Sequence, residues 1–121
     1  MTRLAELQAM SDEEIDREVA TKVMGWKPWS QDDDYWSSGR LDDPVHHKTT
    51  WHPSTDNNDV AAVRVEIGRR GLEPAFCMAL DIILEGDSPP DLLIHEWHWK
   101  MYNPTPRQQS IAALLAVEDE R

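Results

Sequence analysis

Six of the nine aromatic residues in this 121-residue chain are tryptophans: Trp26, Trp29, Trp36, Trp51, Trp97 and Trp99. Each indole brings a large apolar area and one N–H donor that needs a partner when buried. So many in so short a chain must either build the core or line a surface that binds something. A chain of this length forms one domain with a modest core. Residues 1–121 therefore read as a single domain, and assembly into a homo-oligomer, most simply a two-fold dimer, would help to cover the tryptophans and an apolar terminal helix.

Charge narrows the partners. Lys and Arg total 12 against 23 Asp and Glu, a formal net charge of -11. Acid exceeds base in both halves of the chain, so the excess is not confined to a tail. A surface of that sign repels phosphate backbones, which argues against direct nucleic-acid binding, and it disfavours an anionic membrane surface. No apolar run approaches the roughly 20 residues needed to span a bilayer. The start, Met-Thr-Arg followed by an acidic amphipathic stretch, lacks the form of a signal peptide. The expected location is the cytoplasm.

Local patterns predict three helices. Ser11-Asp12-Glu13-Glu14 is an S-x-x-E capping box, and Ile15, Val19 and Val23 continue it as one apolar stripe. A helix over about 12–24 follows, ended by Gly25. A second begins after Pro53, with Ser54, Thr55 and Asp56 all suitable N-caps. Val60, Val63 and Ile67 give its period, and Gly68 and Gly71 its stop. A third runs over about 106–118 behind the T-x-x-Q box Thr105-Pro106-Arg107-Gln108.

Residues 26–53 show no helical period; Tyr35-Trp36 and Val45 seed at most short strands there. Alternation over Phe76–Leu84 and Leu92–Tyr102, with Gly86 to Asp91 as the turn, predicts an antiparallel hairpin. The expected fold is α/β, a small mainly antiparallel sheet layered between three helices.

No established chemistry stands out. His95 and His98 are three apart in an expected strand, so their rings point to opposite faces and do not form a metal pair. His46, His47 and His52 lie near Asp42 and Asp43 in loops with nothing to fix their geometry. Cys77, the one cysteine, excludes an internal disulfide and reads as a small buried hydrophobe. There is no G-x-S-x-G elbow and no glycine-rich phosphate loop. No catalytic residue, cofactor or metal is assigned.

The most informative segment is Trp51-His52-Pro53-Ser54-Thr55-Asp56. It sets an aromatic before a helix N-terminus carrying hydroxyls and backbone N–H groups, a combination that suits an anion with a ring attached. The structural alternative is that Ser54 or Thr55 only caps the helix and Trp51 only packs. Trp26 and Trp36 offer further ring faces. Arg64, in the helix that Ser54 opens, offers a charge-assisted hydrogen bond.

Val19-Ala20, Val23-Met24-Gly25-Trp26, Pro53-Ser54-Thr55-Asp56 and Ala112-Ala113-Leu114-Leu115-Ala116-Val117 together resemble the phage ABA-sandwich domain family, end to end and in order. Val60 or Val63 stands where the family tends to carry a Trp, and Ser110 where it tends to carry a Cys. The resemblance implies a small phage-encoded protein with a sheet layered between helices and no established catalytic residues.

The expected function is therefore a non-catalytic phage accessory protein. It would bind and sequester a small anionic nucleotide-like ligand, as an anti-defence sponge in the cytoplasm of the infected bacterial host. Trp26, Trp36, Trp51, Ser54, Thr55 and Arg64 are the ligand-binding candidates. The alternative is an acidic inhibitor, or nucleic-acid mimic, acting on a host protein. A nucleotide hydrolase is the remaining class.

Overall fold

Ser11 Oγ accepts the backbone N–H of Glu14 at 3.2 Å, so Ser11 is the N-cap that the sequence predicts. The computed structural model describes residues 2–39, 44–87 and 104–119. A short helix α1, Arg3–Ala9, precedes the box, capped by Thr2. Helix α2, Asp12–Glu18, follows it. The same helix then widens into a π-helical turn, Val19–Val23, and stops at Gly25 with φ +70°. Ile15, Val19, Ala20 and Val23 are buried, so the stripe read from the sequence faces the core.

The sheet lies in the segment expected to be largely irregular. Strands β1 (Lys27–Trp29), β2 (Asp32–Ser37) and β3 (Pro44–His47) pair antiparallel in chain order. Trp36 pairs with Pro28 on one side and His46 on the other. Register shifts at Pro28/Trp29 and Trp36/Ser37 break the two-residue period. The exposed run Asp32–Asp34 hides it further, because polar residues there carry no in-out alternation.

A single 3-10 turn, Lys48–Thr50, leads from β3 toward helix α3, Asn57–Arg69. Val60, Val63 and Ile67 are buried as their spacing predicts. The helix stops at Arg70, before Gly71 at φ +72°.

Phe76–Leu84 is not a strand. It lies inside helix α4, Glu73–Asp87. The apolar run satisfies both periods, and helical burial decides between them. Phe76, Ala79, Ile83 and Leu84 are buried, whereas Met78 and Ile82 are 68% and 57% exposed. Glu73, Ala75, Met78, Ala79, Leu80 and Glu85 are strong helix formers, which tips the balance. The expected hairpin therefore loses its first strand; Leu92–Tyr102, with His95, Trp97, His98 and Trp99, lies outside the described residues. Cys77 is exposed on α4 rather than buried.

Helix α5, Pro106–Asp119, closes the chain. Thr105 Oγ1 accepts from Gln108 N at 3.1 Å and Gln108 Oε1 accepts from Thr105 N at 2.9 Å, a reciprocal cap. Ser110 through Leu114, Ala116 and Val117 are buried. A helix apolar on all sides must be surrounded, and α1, α2 with its π turn, α3 and α4 all pack on α5. Arg3 forks onto Glu118 to hold the first helix to the last. The fold is mixed α/β, with five α-helices among the described residues in place of the three expected. Among those residues the core is helix on helix. The sheet reaches it through Trp36, and the loop beyond it through Trp51.

Candidate functional site

The loop between β3 and α3 docks on α2 by polar contacts that the sequence alone does not reveal. Trp51 is 3% exposed, and its Nε1 donates to the backbone oxygen of Asp16 at 3.2 Å. Ser54 N donates to Asp16 Oδ1 at 2.8 Å, and Ser54 Oγ to the backbone oxygen of Asp12 at 3.4 Å. His52 sits between, with Nδ1 3.5 Å from Asp16 Oδ2 and Nε2 2.6 Å from the Thr49 carbonyl oxygen.

Behind this loop the aromatic rings pack on one another. Trp26 meets Trp51 at 4.6 Å between centroids, and His46 lies 5.2 Å from Trp51 edge to face. His46 Nε2 is buried there without a hydrogen-bond partner among the described residues. On the other face of β2, Tyr35 meets His47 at 4.6 Å. His46, His47 and His52 thus point to different surroundings, and among the described residues no three His, Cys, Asp or Glu side chains gather as metal ligands.

In front of the loop lies a cavity of about 520 Å³. One wall is α2, through Asp12, Glu13, Asp16 and Arg17. The other is built from Trp36, Lys48, Thr49, Trp51, His52 and Thr55. Its charges are largely balanced, unlike the chain as a whole. Arg107 holds Asp12 at 2.6 Å, and Arg17 lies 3.7 Å from Glu13. Lys48 Nζ rests 4.7 Å from the centroid of the Trp36 ring. Among the described residues it has no carboxylate within ion-pair distance. Burial pushes the Asp16 carboxyl above its ordinary value, and the donors from Ser54 and His52 pull it back only in part.

The candidates read from the sequence divide. Trp36, Trp51 and Thr55 line the cavity, and Trp26 supports Trp51 from behind. Ser54 is buried and spends its N–H on Asp16. The N-terminus of α3 is already served: Asp56 accepts from Asn58 N and Asp59 N at 2.8 and 3.1 Å. A phosphate there would meet a carboxylate. Arg64 turns away from the cavity, to the Phe76 ring at 5.9 Å and Gln109 Oε1 at 3.5 Å.

Asp16, Arg17, Lys48 and His52 were not singled out as ligand-binding groups by the sequence. One signal existed: Asp16 stands four residues before Ala20, on the buried stripe of α2, where a carboxylate needs a reason.

Comparison of the chain with protein-family models, characterised proteins and solved structures finds no match. Among the described residues no helix is long and apolar enough to cross a membrane. Fold and site together define a small mixed α/β protein with a tryptophan-walled, charge-balanced cavity.

Proposed function

We propose that this protein binds a small anionic, nucleotide-like ligand in the cavity between α2 and the 48–55 loop, without turning it over. The observation that carries the proposal is the Lys48 ammonium, held over Trp36 at the cavity wall with no carboxylate paired to it among the described residues. Arg17 is the second cation. Among the described residues its one ion pair is a long contact to Glu13, so it can turn to a phosphate at small cost. This moves the anion from the start of α3 to the Lys48 and Arg17 side chains. The two indoles supply apolar wall for the ring portion.

The chemistry at the cavity suits retention more than reaction. His52 turns both ring nitrogens to protein oxygens, and His47 Nδ1, 2.6 Å from Thr49 Oγ1, also takes the Thr49 backbone N–H at 3.1 Å as the cap of the 3-10 turn, so both rings are engaged in holding the loop. Joined to the resemblance to the phage ABA-sandwich family, this reading makes the protein an accessory factor that sequesters its ligand in the cytoplasm of an infected cell. The exposed Val65, Met78 and Ile82 favour assembly into a homo-oligomer.

Calorimetric titration with cyclic nucleotides, nucleoside phosphates and ADP-ribose tests it. Saturable binding is expected, with the ligand recovered intact after denaturation. Lys48→Ala should weaken binding by about 1.5–3 kcal/mol, the worth of a charged hydrogen bond. Absence of heat with every ligand overturns the proposal. It would favour the second reading, an acidic inhibitor of a host protein, to which the exposed Asp32-Asp33-Asp34 run of β2 and the net charge are suited.

A further inference from the structure

We infer that the ring held in the cavity is a guanine, read by the carboxylate of Asp16; the inference rests on the nucleotide reading above. Asp16 is 6% exposed, yet it forms part of the cavity wall shared with Trp36 and Trp51. A carboxylate has room for about four donors. Here Oδ1 receives Ser54 N at 2.8 Å, Oδ2 stands 3.5 Å from His52 Nδ1, and the Ser54 hydroxyl adds to these. Burial still outweighs these donors, so the carboxylate has room for further N–H groups that a ligand would bring.

The chemistry of the bases selects among them. Guanine presents N1–H and the 2-amino group side by side, two parallel donors for one carboxylate. Adenine sets the lone pair of N1 beside its amino group, and that lone pair would face the Asp16 charge. Cytosine does the same with N3, and uracil flanks its single N–H with two carbonyls. A site built around such a polar match rejects the analogue that leaves it unpaired. Lys48 and Arg17 stand on the cavity wall with Asp16, so one nucleotide can engage the carboxylate with its base and the cations with its phosphate.

The test compares GMP, IMP and AMP on the full chain by calorimetry. Inosine keeps N1–H and lacks the 2-amino group, so it separates the two donors. The expected order is GMP, then IMP, then AMP, with at least a tenfold span from first to last. Asp16→Asn keeps an acceptor for Ser54 N and gains a donor; it should weaken GMP about tenfold and narrow or reverse its lead over AMP. Should that variant fail to fold, the three-ligand series on the native chain still decides. Equal affinity for GMP and AMP overturns the guanine assignment and leaves the nucleotide reading in place. Binding of no nucleotide overturns both.

Discussion

The Trp51 indole N–H donates to the backbone oxygen of Asp16 across 35 residues of sequence. The acceptor also takes the N–H of Val19. The contact therefore falls where α2 gives way to its π turn, and it seats the loop that carries Lys48, His52 and Ser54 against that helix. The same helix residue also takes Ser54 N on its carboxylate, so Asp16 anchors the loop through backbone and side chain together.

Loss of that bond should loosen the loop before it unfolds the domain. Trp51→Phe removes the donor and part of the ring, an expected loss of about 1–2 kcal/mol. Trp51→Ala leaves a large void beside Trp26 and should cost about 3–5 kcal/mol. Denaturant midpoints measured on both variants check the order and the sizes.

The helical character of α4 makes a sharp prediction about neighbours. Ile82 is 57% exposed and Ile83 is 1% exposed. Ile83→Ala should destabilise by about 2–5 kcal/mol. In the dissociated protomer, at low protein concentration, Ile82→Ala and Met78→Ala should each stay within about 0.5 kcal/mol of the native chain. A strand with Phe76, Met78, Leu80, Ile82 and Leu84 on its buried face would give large losses at Met78 and Ile82 instead. Chemical denaturation separates the two patterns.

That segment also marks how far the sequence could be read. Ser11 and Thr105 declare their helices because a cap is a local event, written in four residues. Val60, Val63 and Ile67 declare α3 because a half-buried helix leaves its polar face visible. Phe76–Leu84 is apolar on almost every position, so both periods fit, and helix propensity together with packing on α5 chooses. The sheet was obscured by two register shifts and by the three acids of β2. At the site, Trp36 and Trp51 could be picked by residue type. Asp16, Arg17 and Lys48 come together only through the docking of the 48–55 loop on α2, a non-local contact with no pattern in the chain.

Acid should weaken the fold through Glu118. The Arg3 guanidinium, and Lys22 after it, hold this carboxyl below its ordinary value of 4.5. Its contribution is present above that value and is lost as pH falls through the lower value of the folded state. Glu66, held down by Arg69 and Arg70, adds in the same direction. Asp16 opposes them. Burial raises its carboxyl above 3.8, so its contribution is present below 3.8 and is lost as pH rises through the folded value. Stability measured from pH 7 to pH 3 should fall in the native chain, less steeply in Glu118→Gln and more steeply in Asp16→Asn. Identical slopes in all three would contradict these assignments. Arg3→Ala should cost about 1 kcal/mol at neutral pH, as suits a partly exposed pair.

Nitrogen-15 chemical-shift mapping of the full chain asks whether a nucleotide occupies the cavity between α2 and the 48–55 loop. On titration with GMP, saturable shifts are expected of the Trp36 and Trp51 indole N–H signals and of the amides of Asp16, Lys48, Thr49 and Thr55. The first turn of α3 and Arg64 should stay in place. Saturable shifts centred instead on Asn57 to Asp59 and Arg64, or no saturable shift with GMP or AMP, would contradict that occupancy.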